Sequence, residues 1–107
     1  MNSSAAVNVL ALFHPLEGHR DAVVAAMHIA IPRVHEEDGC ELYAITEAAD
    51  GRLVMIEKWS SQALLDAHGT SPAVRQLLAD LEGHLARPAE VTVLTPLPMG
   101  DGAKGSL

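Results

Sequence analysis

Two segments of this chain, Val7–Phe13 and Leu53–Trp59, are apolar on both of their alternating faces. In Leu53–Trp59 one face carries Leu53, Met55, Glu57 and Trp59, and the other Val54, Ile56 and Lys58. In Val7–Phe13 one face carries Val7, Val9, Ala11 and Phe13, and the other Asn8, Leu10 and Leu12. Successive side chains of a strand point to opposite faces. A sheet that meets water on one side shows polar residues on that side, so these strands need two covering layers. A chain of 107 residues makes one domain, with helices enough for one layer. A second copy, packed through the uncovered sheet face, is the economical second layer.

The rest of the pattern orders the elements. His19 to about Ile31 reads as a helix, with Val23, Ala26, Met27, Ala30 and Val34 on one stripe. Pro32 is expected to end or kink it. The acidic loop Glu36-Glu37-Asp38-Gly39 follows, then a strand over Glu41–Glu47. Asp50-Gly51 is a hairpin signal. A two-residue turn there sets Leu42 opposite Trp59 and Ala44 opposite Glu57, with Tyr43 on the opposite face toward Lys58. One more loop residue reverses that face. Ser60 or Ser61 can cap a short helix that runs through His68 and closes at Gly69. Ser71-Pro72 starts another, with the serine as cap and the proline at the first helical position. Its stripe is Val74, Leu77, Leu78, Leu81 and Leu85. Pro88 breaks it, and Val91–Thr95 is the last strand. The order is β-α-β-β-α-β, an α+β, ferredoxin-like arrangement with a four-stranded antiparallel sheet. The domain is expected over residues 7–97, with residues 1–6 and 98–107 as unstructured tails.

Composition excludes several classes of function. The formal charge of -7, with Arg20, Arg33, Arg52 and Lys58 scattered, argues against nucleic acid and anionic membrane as partners. Cys40 is the only cysteine, so no disulfide forms within the chain and no thiolate cluster holds a metal. There is no apolar run long enough to span a bilayer and no basic start of a signal peptide. A reducing, cytoplasmic compartment is the expectation. His14 and His19 flank a proline, and His28 and His35 lie about 10 Å apart along a helix, too far to share one ion. No metal or other cofactor is expected. Gly100 to Gly105 spells the dinucleotide fingerprint by letter only, because no strand and helix flank it.

Polar residues inside apolar strands are the remaining candidates. Glu57 and Trp59 share a face, and small neighbours leave room for a cavity beside the indole. Trp59 reads equally as pocket wall or core anchor. Glu57 reads as a structural hydrogen bond or interface ion pair ahead of a catalytic residue. Asn8 lies near a sheet edge or pocket mouth, or is structural. His68 follows Trp59 by one short helix. Imidazole suits proton transfer near neutrality, and a helix C-terminus equally suits a histidine that merely caps it.

Glu37-Asp38-Gly39-Cys40, Tyr43, Glu57-Lys58-Trp59, Ser61, Ala63-Leu64, His68 and Ser71 together resemble the antibiotic biosynthesis monooxygenase (ABM) family, and its quinol-monooxygenase-like members most. Asp38 departs from the proline often found before this glycine. The resemblance covers Val7 to Leu97. It implies a ferredoxin-like subunit and a homodimer whose two sheets form an α+β barrel. It also implies a pocket between sheet and helices, and oxygenation without metal, flavin or haem. His68 would be the base, with Trp59, Asn8, Tyr43 and Glu57 lining the pocket around a small aromatic quinol or polyketide-like phenol that reacts with O2. Other members isomerise or degrade small signal molecules, and a ligand-binding dimer without catalysis is a further alternative on the same scaffold. The haem-degrading branch places its tryptophan on the helix, near where this chain has His68, and so fits poorly.

Overall fold

The computed structural model describes residues 5–107. The elements run β1 (Val7–Phe13), α1 (Arg20–His35), β2 (Cys40–Glu47), β3 (Leu53–Trp59), α2 (Gln62–Gly69), α3 (Pro72–Leu81) and β4 (Glu90–Leu94). The strands form one antiparallel sheet in the order β2-β3-β1-β4. This is the ferredoxin-like α+β arrangement that the element order predicts. Residues 1–4 of the expected N-terminal tail lie outside the described residues.

The helices cover one face of the sheet. Val9, Ala11, Phe13, Leu53, Met55 and Trp59 are buried there, against Val23, Ala26, Met27, Ala30 and Val34 of α1 and Ala73, Leu77 and Leu81 of α3. The α1 stripe is the predicted one, but the helix runs past Pro32 to His35. Proline inside a helix removes one hydrogen bond, and the fully buried Val34 anchors the turn beyond it. The α3 stripe differs from expectation. Leu78 is exposed, Ala73 is buried instead, and the helix stops before Leu85. Leu85 instead pairs with Pro15 in an isolated bridge. The caps are Ser61 and Ser71, whose hydroxyls accept from the N–H groups of Leu64 and Val74, both at 3.2 Å. Gly69 is the last residue of α2 and Thr70 follows as its cap.

The β2–β3 hairpin departs from the two-residue turn. Gly51 N–H donates to Ala48 C=O at 3.0 Å, and Ala48 N–H to Arg52 C=O at 2.8 Å. Only Gly51 has positive φ, at +92°. This is a three-residue loop, a tight turn followed by a left-handed glycine. The extra residue sets Glu47 opposite Leu53 and Tyr43 opposite Glu57. Tyr43 is therefore buried on the helix-covered face and not beside Lys58. At the far end of β2 a bulge between Cys40 and Leu42 restores Cys40 opposite Trp59.

The other face of the sheet carries Leu10, Leu12, Val54 and Ile56, all partly exposed, and Leu42 and Leu94, both exposed. No helix among the described residues lies on it. The C-terminal residues, expected to lack order, carry a local turn. Asp101 accepts from the N–H groups of Ala103 and Lys104 through its carboxylate, at 2.8 and 3.0 Å. Leu97, Met99 and Leu107 remain exposed around it.

Gly39 joins α1 to β2 in the left-handed region, at φ +82°. A Cβ there would lie 2.6 Å from Leu64 Cδ1, 2.8 Å from Leu64 Cβ and 2.9 Å from Ser60 Oγ. Gly39→Ala is expected to destabilise the chain by about 2–4 kcal/mol, from backbone strain plus overpacking. Gly51→Ala carries only the strain, because nothing lies within 4 Å of its Cβ position, and should cost about 1 kcal/mol. Urea unfolding of both variants checks this; equal losses would remove the packing argument.

Candidate active site

Three segments distant in sequence meet at the Trp59 end of the sheet. The turn after α1 brings Glu37, the last turn of α2 brings His68, and the first residue before α3 is Ser71. His68 Nδ1 lies 2.8 Å from Glu37 Oε1. The Ser71 hydroxyl donates to Glu37 Oε2, also at 2.8 Å. The indole N–H of Trp59 donates to Glu57 Oε1 at 2.9 Å. That same carboxylate oxygen is 4.0 Å from His68 Nε2. The imidazole lies over Trp59, with ring centroids 4.4 Å apart and planes at 33°. Tyr43 meets it edge-on at 5.4 Å and 70°.

The cluster is buried. Trp59 is 0 % exposed, Tyr43 and Glu57 5 % and His68 8 %. His68 is therefore no water-facing cap. It points back under α2 to the sheet, and Thr70 takes the capping position. Among the described residues every buried side-chain nitrogen and oxygen has a hydrogen-bond partner.

Burial sets the protonation of the neighbours. Glu57 is pushed up mainly by desolvation, opposed by the Trp59 N–H and the His68 imidazole and reinforced by the Glu37 charge. The Tyr43 hydroxyl is pushed far above the ordinary phenol range, first by burial and then by Glu57 and Glu37. It stays protonated at neutral pH. Burial and the same two carboxylates push the Cys40 thiol up as well, so it is a poor nucleophile.

Of the residues singled out in the sequence, the structure brings together His68, Trp59, Tyr43 and Glu57. It does not bring Asn8 with them. Asn8 is opposite Lys58 in the β1–β3 pairing, on the face away from Trp59 and His68. It is nonetheless buried, and its Nδ2 reaches the backbone carbonyl of Glu57 at 3.4 Å. Glu37, which reads in sequence as one acid of a solvated loop, is the residue that sequence reasoning passed over as a partner. Gly39 was the available signal, because a forced left-handed turn aims its flanking side chains. The other histidines lie elsewhere: His14 is 2.8 Å from Glu90, His19 and His84 pair at 2.9 Å, and His35 is 3.0 Å from the Tyr43 carbonyl. Among the described residues no three histidine, cysteine or acidic side chains gather as a metal would require. A cleft of about 380 Å³ borders the cluster, lined by His35, Cys40, Glu41, Leu42, Tyr43 and Ala44.

A carboxyl raised by burial favours the folded state at low pH. That benefit is complete below the range of an unfolded glutamate and is lost as pH climbs through the folded value. Glu57→Gln keeps an acceptor for the indole and removes the charge. The variant is expected to gain stability over the parent chain as pH rises from about 4 to about 8. Urea midpoints across that range test it; a difference independent of pH would mean that Glu57 is not desolvated in the way its burial indicates.

The comparisons with known proteins concern the family and the fold. The family model described as antibiotic biosynthesis monooxygenase matches residues 6–86. "Putative monooxygenase Rv0793" of Mycobacterium tuberculosis is 40% identical over 92 residues, which cover 85% of this chain and 91% of that protein. The solved structure of Rv0793 superposes with a TM-score of 0.83, over 91% of this chain and 100% of the other. "Probable quinol monooxygenase YgiN" of Escherichia coli is 30% identical over 92 residues, 77% of this chain and 88% of that protein. The family match runs from β1 through α3 and includes β3 with Trp59 and α2 with His68, and the chain belongs to the antibiotic biosynthesis monooxygenase family.

Proposed function

We propose that this protein is a cofactor-independent monooxygenase of a small aromatic quinol or polyketide-like phenol. The observation that carries the reading is the placement of His68: an imidazole held at Nδ1 by a carboxylate, stacked on an indole, inside an otherwise apolar core. A base in such a site takes a proton from a phenolic hydroxyl or an acidic ring carbon. The resulting anion is electron-rich enough to reduce O2 directly. The substrate supplies all the electrons; one oxygen atom enters the product and the other leaves as water. The protein supplies the base, a dry site and orientation. Trp59 and Tyr43 provide aromatic walls, and Tyr43, held as a phenol, donates a hydrogen bond. Glu57 holds the indole in place. The cleft at the β2 bulge is the way in. Membership of a family with a relative named as a quinol monooxygenase supports the substrate class. The single cysteine and the histidine spacing support chemistry that the substrate itself carries, in a reducing, cytoplasmic setting.

The working unit in this reading is a homodimer. Leu10, Leu12, Val54 and Ile56 present an apolar sheet face that no helix among the described residues covers. A second copy packed face to face covers it in both subunits. Sedimentation at micromolar concentration is expected to give a dimer, and Ile56→Lys, which puts a charge in the middle of that face, is expected to shift it to monomer. A wild-type chain that sediments as a folded monomer would remove the dimer from the reading.

His68→Ala is expected to lower oxygen uptake on a quinol panel by roughly 10²–10⁴, the usual weight of a general base. Turnover in the parent chain should persist with chelator present. Retained turnover in the variant with a lowered melting temperature would make His68 a structural residue. Absence of turnover on any quinol, with ligand binding intact, would favour a binding protein.

A further inference from the structure

We propose that Glu37 is a positioning residue that, together with Ser71, sets the tautomer of His68 and makes Nε2 the working nitrogen. The inference rests on the reading of His68 as the base. An ionised carboxylate only accepts hydrogen bonds. With Glu37 Oε1 2.8 Å from Nδ1, Nδ1 must carry a hydrogen. In the neutral imidazole the lone pair is then on Nε2. The reverse tautomer would set a nitrogen lone pair against a carboxylate oxygen at hydrogen-bond distance.

Ser71 makes that arrangement rigid. A hydroxyl has one hydrogen to donate and two lone pairs. Ser71 Oγ accepts from the Val74 N–H as the cap of α3 at 3.2 Å. Its one hydrogen goes to Glu37 Oε2 at 2.8 Å. Both carboxylate oxygens are thereby engaged, and the plane of Glu37 is tied to the first turn of α3. Its partner His68 is tied to the last turn of another. Gly39 holds the acid in this place, since its φ of +82° turns the chain sharply two residues after Glu37.

The freed Nε2 has no hydrogen-bond partner among the described residues. The nearest acceptor on that side is Glu57 Oε1 at 4.0 Å, beyond hydrogen-bond reach and already engaged by the Trp59 indole N–H at 2.9 Å. Glu57 and Trp59 thus satisfy each other and leave the Nε2 lone pair open to a hydroxyl donor from the substrate. Glu37 determines which nitrogen works, and Trp59 with Glu57 determines what that nitrogen faces.

The test is nitrogen-15 NMR of the histidine-labelled full chain at about pH 8, where an ordinary imidazole is neutral. His68→Ala assigns the signal. The parent chain is expected to show His68 as the Nδ1–H tautomer. Glu37→Gln keeps a carbonyl acceptor for Nδ1–H and should retain that tautomer. Glu37→Ala should shift the ring toward the Nε2–H form and lower kcat at least about tenfold, with KM little changed. An Nε2–H signal in the parent chain overturns the proposal even if the alanine variant does not fold. So does an unchanged tautomer in a folded Glu37→Ala. The tautomer readouts need no substrate, so they stand apart from the base reading, which falls if His68→Ala keeps its turnover or if the parent chain turns over no quinol.

Discussion

Glu57 and His68 are ionisable groups in a core otherwise made of aliphatic and aromatic side chains, and their burial is the constraint on which the rest of this structure depends. An imidazole or carboxyl withdrawn from water without partners costs several kcal/mol. Here each is satisfied by a specific neighbour: Glu57 by the Trp59 indole, His68 by Glu37, and Glu37 by Ser71. Those partners come from β3, the α1–β2 turn and the start of α3. The polar contacts therefore specify how the helical layer docks on the sheet, where aliphatic packing alone would tolerate sliding. A fully connected polar cluster of this kind favours one arrangement over its competitors.

The same cluster explains the position of the site. Catalytic geometry needs side chains whose rotamers are locked by packing and by a second set of hydrogen bonds. His68 is at the end of a short helix, a place that would ordinarily fray. It is held from three sides: by Glu37, by the indole at 4.4 Å and by the edge of Tyr43. The desolvated Glu57 is a stability cost at neutral pH. Such costs gather where function requires an unusual environment.

The two faces of the sheet have different tasks. The inner face carries the core and the candidate site together, and the outer face is apolar apart from Asn8, Lys58 and the polar positions of β2 and β4. Asn8 links them. It is on the outer face, yet its amide reaches the backbone carbonyl of Glu57. That contact ties the outer face to the strand that holds Glu57 and Trp59.

Much of the fold was legible in the residues themselves. The period-two and helical patterns placed every strand and helix within a few positions, because burial on one face of an element writes its period directly into the sequence. Ser61, Ser71 and Pro72 marked their helix starts through local backbone chemistry. Trp59, Glu57 and His68 stood out as polar or bulky residues in an aliphatic chain. What local reasoning could not decide was the face of Tyr43, which turned on one residue of loop length in the Asp50-Gly51 hairpin. A one-residue change in register exchanges the faces of a whole strand, and Asp-Gly fits turns of either length. Nor could it pair Glu37 with His68, 31 positions away. A loop acid and a helix-end histidine carry no periodic signal of their contact. Only the folded chain sets the turn after α1 beside the last turn of α2 and brings them to 2.8 Å, and that juxtaposition is a property of tertiary packing.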